Sequence, residues 1–186
     1  MIVTIIIFIL VLSLLVFVHE LGHFVSAKKL GVKSDEFGFG FPPRLFGIYK
    51  DTTGKWKRVW GNKKVEDNIS TIYSINIIPL GGFVKIKGQD GEEKQDSDSF
   101  SSKKTWKRAT ILSAGVMMNI VLAAVLISIC LMIGFPQAID KNNLPKSIKV
   151  SDEKIQVTQV LKDYPADLAG IKASDVILSI NENEVK

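Results

Sequence analysis

The chain has 186 residues, 46% hydrophobic and 23% charged, which excludes an intrinsically disordered protein and a large multidomain enzyme. Its charges are segregated, because residues 1–18 and residues 109–139 contain none. Each stretch is close to, or longer than, the roughly 20 residues that cross a bilayer. The sequence therefore predicts a membrane protein with two transmembrane helices. The single cysteine, Cys130, excludes an intrachain disulfide and a cysteine-based metal cluster.

The formal charge of +5 arises between the two apolar stretches. Residues 28–108 hold 17 Lys and Arg against 10 Asp and Glu, whereas residues 136–186 hold 7 against 8. Nucleic-acid binding would account for such an excess, but the positive-inside rule explains it more simply. We therefore expect an outside N-terminus, cytoplasmic residues 28–108, an outside C-terminal segment and no nucleic-acid partner.

The first apolar stretch predicts a transmembrane helix within residues 1–29, from about Ile2 to Lys28. A cleaved signal peptide is the alternative, because residues 25–27 resemble a small-residue cleavage site. That alternative is disfavoured, since there is no basic n-region and the apolar run exceeds the usual length. A helical rise of 1.5 Å per residue places His19 about 26 Å from the start, near the cytoplasmic face.

Residues 30–105 predict a β-rich cytoplasmic segment. The β-branched residues 71–78, a turn at residues 79–82 and residues 83–86 predict a membrane-associated hairpin, while the Lys-rich residues 50–68 predict a loop or hairpin tip. The second transmembrane helix is predicted within residues 106–136, roughly from Lys107 to Phe135.

Residues 137–186 are soluble in character. Alternating residues 155–160 predict a strand, residues 165–169 a short helix, and residues 176–180 a second strand. The expected fold class is thus a membrane protein with two transmembrane helices, an intervening cytoplasmic β-rich segment, and a small α+β part.

The only two histidines lie in His19-Glu20-Leu21-Gly22-His23, at the end of the first predicted helix. Positions i and i+4 share a helix face, so both imidazoles can reach one metal ion, and this pattern is typical of zinc proteases. Glu20 lies about 100° around the helix, where it can contact water without ligating the metal. The alternative is an interfacial helix end with ordinary polar residues.

This motif at the end of a first transmembrane helix resembles the site-2 proteases, and more closely the bacterial regulator-of-sigma-E type of intramembrane zinc metalloprotease. Further segments resemble the same family in order, namely residues 36–46, residues 73–85, residues 106–109 and residues 114–119. Residues 50–68 match the family least and have the character of an insertion.

Residues 165–172 and residues 175–181 resemble the first part of a PDZ domain, so residues 137–186 are expected to be an incomplete PDZ-like domain. The chain departs from the family at three positions. Val116 stands where proline is frequent, and Ser174 and Glu182 stand where glycine is usual.

The resemblance implies Zn²⁺ as the cofactor, His19 and His23 as ligands, and Glu20 as the general base. It implies that the third ligand is an Asp of an LDG motif on a later helix, which residues 1–186 do not contain. Asp35 and Glu36 match family residues that are not ligands. We therefore expect the N-terminal part of the enzyme, carrying half of the site and inactive by itself.

Three further residues are candidates for substrate binding. Asn119 is an amide within an apolar helix, for which an interhelical hydrogen bond is the alternative. Gly81 and Gly82 lie in the predicted hairpin, whose strand edge could pair with an unwound substrate, although an ordinary surface hairpin is the alternative.

The predicted function is therefore an intramembrane zinc endopeptidase of the cell membrane. By resemblance, its substrates are membrane proteins such as single-span anti-sigma factors or remnant signal peptides, and the bilayer surrounds it. The competing prediction is a truncated, non-catalytic membrane anchor or binding module. A peptidase that acts outside the membrane is disfavoured, because the motif would then need a soluble helix.

Overall fold

The computed structural model describes residues 2–63, 65, 70–91, 95–133 and 154–185. The chain divides into two compact units, residues 1–135 and residues 136–186. The first unit contains α1 (Ile2–Lys29), β1 (Ser34–Lys50), β2 (Trp56–Trp60), β3 (Ile72–Ile86) and α2 (Thr105–Ile133). The second contains β4 (Ile155–Gln156), α3 (Pro165–Leu168), β5 (Val176–Ile177), β6 (Ser179–Ile180) and β7 (Asn183–Glu184).

The helices α1 and α2 form where the sequence is apolar and free of proline. With 28 and 29 residues, each is about 42 to 44 Å long. Their most apolar windows have mean hydropathies of 3.1 and 2.8, so by length and composition each could cross a membrane. The prediction of two long apolar helices separated by a β-rich segment is confirmed. The helix α1 ends one residue after Lys28 and α2 begins two residues before Lys107; the predicted end at Phe135 lies outside the described residues.

The two helices approach closely because glycine lies at their contact. A Cβ atom added to Gly22 of α1 would overlap the main-chain oxygen of Ala114 and lie 2.7 Å from Met118 Cγ, both on α2. Neither helix could take this position against a larger residue. The contact at Gly22 therefore sets the spacing of the helices one turn from His19.

The strands form one three-stranded sheet in the order β2-β1-β3. The strand β3 continues through the predicted turn at residues 79–82, and its bend lets both of its halves pair with β1. In the last half of β3, Gly82 is opposite Phe39 and Val84 is opposite Phe37. The predicted loop or hairpin tip at residues 50–68 contains the strand β2, because Trp56, Val59 and Trp60 favour extended structure.

Aromatic rings join this sheet to α1. Phe37 of β1 stacks on Phe24 at a ring-centroid distance of 4.6 Å, and it also lies 5.6 Å from Phe17. A small hydrophobic core lies where α1 ends and α2 begins, formed by Ala27, Val32, Ile86, Phe100 and Ile111. The sheet is thereby fixed against the half of α1 that carries both histidines.

The second unit is small and has no buried residue among residues 154–185. The strands β4 and β5 pair antiparallel, with Ile155 opposite Ile177, and β6 pairs with β7 in a tight hairpin. The short helix α3 lies within the predicted residues 165–169, and β4 is shorter than the expected residues 155–160. The strand predicted at residues 176–180 is divided into β5 and β6, which pair with different partners, and β7 was not predicted.

Candidate metal centre

The helix α1 brings the two histidines together. His19 and His23 are one helical turn apart, and their Nε2 atoms are 3.1 Å from each other. Both side chains are half-buried against α2. Two ring nitrogens at this distance need a proton or a cation between their lone pairs, so the pair is suited to hold a positive ion.

A main-chain carbonyl of α2 orients one of these rings. His23 Nδ1 lies 2.7 Å from the carbonyl oxygen of Ile111, and because a carbonyl only accepts, the ring nitrogen donates. The proton on Nδ1 leaves the Nε2 lone pair free for a metal. An outer hydrogen bond of this kind is the usual support of a metal-binding histidine. Since Ile111 is fully buried, its carbonyl is held in place by the core.

The second helix also leaves room beside both nitrogens. A Cβ atom at Gly115 would lie 2.5 Å from His23 Nε2 and 2.6 Å from His19 Nε2. Any other residue at this position would therefore fill the space next to both candidate ligand atoms. Gly115 is buried, and its missing side chain is what keeps this space open.

The donor set fits zinc. Nitrogens that each lie about 2.0–2.1 Å from a tetrahedral zinc are roughly 3.3–3.4 Å apart, a few tenths of an ångström more than the separation in the structure. Glu20 lies beside this pair, since one ligand atom from each of the three residues lies within 4.8 Å of the others. Imidazole nitrogen is an ordinary zinc ligand.

Glu20 is half-buried and is the one acidic residue of α1. Because it follows His19 directly and precedes His23 by three residues, its side chain leaves the helix about 100° from His19 and about 60° from His23. It therefore lies beside the two histidines and not in line with them. This geometry suits a carboxylate that exchanges a proton with a nearby water molecule.

The carboxylate of Glu36 is engaged within the sheet and not at the histidines. Glu36 is buried in the sheet and receives two hydrogen bonds from Arg44, Nε to Oε1 at 2.8 Å and Nη2 to Oε2 at 2.8 Å. A carboxylate held in such a bidentate pair is satisfied. Neither Glu36 nor Asp35 belongs to the His19, Glu20 and His23 group.

The three predicted substrate-binding residues lie in two places. Asn119 follows Gly115 by one helical turn, so it extends the same face of α2, and its buried Oδ1 atom has no hydrogen-bond partner among the described residues. Gly81 and Gly82 are buried against α1, where added Cβ atoms would lie 2.5 Å from Val16 Cγ1 and 2.9 Å from Phe17 Cδ2. This bend of β3 therefore meets α1 about one turn before His19, and it replaces the predicted hairpin because both halves of β3 pair with β1.

Two functional features were missed by sequence reasoning, the Ile111 carbonyl and the space at Gly115. The carbonyl carries no sequence signal, because every residue has one. Gly115 does carry a signal, since glycine inside a helix costs roughly 1 kcal/mol relative to alanine and commonly indicates close packing.

Comparison with known proteins supports a protease relationship. The model of peptidase family M50 matches residues 7–179. A protein of Clostridium acetobutylicum is 38% identical over 97% of this chain and 43% of its own length. Proteins of Clostridium perfringens and Campylobacter jejuni are 33% and 34% identical over 95% and 93% of this chain, and over 42% and 39% of their own lengths. All three are named "putative zinc metalloprotease". The chain thus spans about two fifths of the length of these relatives.

Proposed function

Because the chain belongs to peptidase family M50, the family of the site-2 proteases, we propose that it carries the histidine half of an intramembrane zinc endopeptidase. The observation that carries this proposal is the arrangement of His19, His23 and Gly115. Two Nε2 atoms lie 3.1 Å apart beside a space that a single Cβ atom would fill. Both histidines lie on a helix long and apolar enough to span a membrane.

The chain's own residues would divide the chemistry as follows. His19 and His23 hold the zinc through Nε2, and Ile111 keeps the His23 ring turned toward it. Zinc bound there supplies a Lewis acid for the peptide carbonyl and lowers the pKa of water. Glu20 takes a proton from the attacking water and delivers it to the leaving amine nitrogen, as general base and then general acid.

Catalytic zinc sites usually have three protein ligands. The family resemblance implies that the third is the Asp of an LDG motif, a sequence that does not occur in residues 1–186. We propose that this Asp completes the site in the whole protein. Residues 1–186 by themselves would then hold zinc weakly and turn over no substrate.

The proposed substrate class rests on the family resemblance and on the position of the histidines in a helix long and apolar enough to span a membrane. We propose that the enzyme cleaves transmembrane or juxtamembrane segments, for example of single-span anti-sigma factors or of remnant signal peptides. Such a segment must unwind before it can be cut. The half of β3 that follows Gly82 is an outer strand of the sheet within the described residues, and it lies beside α1, where it could pair with the unwound chain. Asn119, whose Oδ1 has no hydrogen-bond partner in the described part of the chain, would bind the substrate backbone.

The test of this function is the Glu20→Gln variant of the complete protein, assayed on a membrane-spanning peptide. Loss of the general base should slow cleavage by two to four orders of magnitude while zinc remains bound. The same assay is run on residues 1–186 with and without a co-expressed segment that bears the LDG motif.

Cleavage by Glu20→Gln at close to the wild-type rate would refute the role of Glu20. Chelator-sensitive cleavage by residues 1–186 alone would refute the three-ligand proposal and favour a different ligand set. A wild-type protein that binds zinc but never cleaves would favour the non-catalytic anchor.

We also propose a topology for the membrane location that the two helices and the family support. The basic residues at the end of α1 and the start of α2 favour a cytoplasmic sheet, with the N-terminus and residues 137–186 outside. Cysteines are introduced at Gln95 and Lys154 in a Cys130→Ser background and treated with an impermeant maleimide. We expect position 154 to react in intact cells and position 95 to react after lysis. Reaction of position 95 in intact cells would reverse the orientation.

For residues 137–186 we propose an incomplete PDZ-like domain that controls access to the site from the outer face. Two observations support the likeness. Ser174 has φ 80° and Glu182 has φ 64°, and these are the two positions at which the family usually has glycine. The described strands and short helix begin in the order strand, helix, strand that the sequence predicts.

A further inference from the structure

The hairpin formed by β1 and β2 carries a face that the zinc site does not use. Along β2 only Val59 is buried, whereas Trp56, Arg58 and Trp60 alternate with it and share the other face. Opposite them on β1 lie Lys50, Ile48 and Phe46. These six residues are called the tryptophan face below.

Contacts between the two strands hold this face together. Lys50 Nζ lies 5.2 Å from the centre of the Trp56 ring, and the rings of Phe46 and Trp60 are 4.8 Å apart. The face is therefore a defined surface on which aromatic rings and basic groups alternate. Its β2 residues belong to residues 50–68, the segment that resembles the protease family least.

The exposure of this face is unusual for its residue types. Trp56 is 58% exposed and Trp60 is 61% exposed, although tryptophan is normally well buried. The third tryptophan, Trp106 at the start of α2, is also 58% exposed. Tryptophan is enriched where a membrane meets water, because its ring is apolar and its N–H needs a polar partner.

The charge around the face is strongly positive. Residues 50–63 contain five basic side chains and a single acidic one, Asp51. That carboxylate is already engaged: it accepts hydrogen bonds from Thr53 and forms an ion pair with Lys57 at 3.1 Å. The hydrogen bond from the Thr53 side chain is the main reason that the pKa of Asp51 is lowered to about 2. Contacts within the hairpin tip therefore satisfy the Asp51 carboxylate, and the basic groups other than Lys57 can bind external anions.

The position of the face relative to α1 also indicates what covers it. The Lys50 carbonyl accepts a hydrogen bond from Ser70 N at 3.2 Å, and Ser70 lines one cavity with Lys28. The Lys50 end of the hairpin is thus near the basic end of α1. That end is where a spanning α1 would leave the hydrocarbon for the headgroup layer.

From these observations we propose that the tryptophan face rests on the bilayer surface, with Trp56 and Trp60 at the headgroup level and Lys50 and Arg58 on anionic phospholipids. The occupant is a lipid surface because basic and aromatic residues together match anionic headgroups and the adjoining acyl boundary. The proposal rests on the membrane location but not on the zinc chemistry.

The test uses residues 1–186 reconstituted in two kinds of bilayer, pure phosphatidylcholine and equal parts of phosphatidylcholine and phosphatidylglycerol. In each of three variants, two of the three tryptophans are replaced by Phe, which leaves Trp56, Trp60 or Trp106 as the single tryptophan fluorophore. The variant that retains Trp106 reports whether the chain is inserted in the bilayer. Quenching by brominated lipid measures contact with the bilayer, and quenching by acrylamide measures contact with water.

We expect Trp56 and Trp60 to be quenched by brominated lipid and protected from acrylamide in the anionic bilayer, and less so in the neutral one. Removal of one charge in Lys50→Gln or Arg58→Gln should lower the ratio of docked to undocked hairpin by about fivefold. Lys85→Gln, an exposed basic residue of the same sheet, should leave this ratio unchanged.

Three outcomes would overturn the proposal. The fluorescence of Trp56 and Trp60 could be quenched by acrylamide in both bilayers, although quenching of Trp106 by brominated lipid shows that the chain is inserted. They could be equally protected in both bilayers, which would exclude recognition of anionic lipid. They could be protected from acrylamide without quenching by brominated lipid, which would indicate a protein occupant such as a second copy. Zinc binding, measured on the same variants, should not change in any of these cases.

Discussion

Among the described residues of the first unit, every residue in the left-handed backbone region is a glycine, whereas the second unit places four other residues there. The four are Asp163, Ser174, Asn181 and Glu182, with φ between 48° and 80°. The second unit also has a glycine in this region, Gly170. A side chain in this region costs roughly 1–2 kcal/mol, since its Cβ crowds the following carbonyl.

The difference shows where this chain depends on glycine. In the first unit, glycine is also present where no turn demands it, at Gly22 and Gly115 in the helices. There the missing side chain lets α1, α2 and the candidate metal centre come together. In the second unit, which has no buried residue among residues 154–185, backbone strain is tolerated. Adding a methyl group to the first unit and removing side chains from the second should therefore have opposite effects.

The largest effect is expected for Gly115→Ala. The new Cβ would lie 2.5 Å and 2.6 Å from the two histidine Nε2 atoms, so it should weaken zinc binding by about tenfold to a hundredfold, the range found for changes around metal ligands. Alanine is the better helix former by roughly 1 kcal/mol, so α2 itself should not be destabilised. Competition with a chromophoric chelator measures the affinity, and circular dichroism measures the helix content of the same sample.

The matched control is Val116→Ile, which adds one methylene group at the neighbouring, exposed position of α2. It should bind zinc like the wild type. If Gly115→Ala also retains the wild-type affinity, the space beside the histidines is not where the metal binds.

An effect on stability is expected for Gly22→Ala, which tests the contact between the helices. Its Cβ would overlap Ala114 and approach Met118 Cγ to 2.7 Å, so the helices must move apart. Overpacking of this kind typically costs about 1–3 kcal/mol in the free energy of unfolding. Unfolding in mixed micelles measures it, with Val11→Ile on the exposed side of α1 as control. An unchanged free energy of unfolding would mean that the contact at Gly22 does not limit packing.

Much of the first unit could be predicted from sequence because its signals are local. Apolar length predicted α1 and α2, and the spacing of His19 and His23 predicted that their side chains share a face. The Ile111 carbonyl could not be predicted, since that contact joins residues 88 positions apart in sequence and depends on how the two helices are aligned. Likewise, β2 was not predicted as a strand, because its Lys-rich surroundings favour a loop and mask the preference of Trp56, Val59 and Trp60 for the extended structure that pairs with β1.

In the second unit the sequence predicted element order better than element length. Residues 155–160 alternate as a strand should, yet β4 contains only Ile155 and Gln156, and the main-chain hydrogen bonds continue only to Val157. Ser174 and Glu182 could be identified as departures from the family pattern, but their strain depends on φ, which the sequence alone does not give.

The smallest effect, and the one of opposite sign, is expected for Ser174→Gly and Glu182→Gly in the second unit. Each relieves roughly 1–2 kcal/mol of left-handed strain. Glycine also has greater freedom in the unfolded chain, which lowers the stability of the fold by roughly 0.5–1 kcal/mol. The difference is a net stabilisation of about 0.5–1 kcal/mol for each substitution. Two hydrogen bonds at the Ser174 main chain should persist, because they need no side chain at this position. Ser174 N donates to the Val157 oxygen at 2.7 Å, and Gln156 Nε2 donates to the Ser174 oxygen at 3.1 Å.

Hydrogen exchange of the β4 and β5 amides in the whole chain measures the gain as slower exchange. Asn181→Gly is the matched control, because asparagine tolerates a φ of 48° and should gain only a few tenths of a kcal/mol. Faster exchange in Ser174→Gly than in the wild type would mean that its side chain contributes more than its backbone strain costs, and the contrast between the two units would then fail at that position.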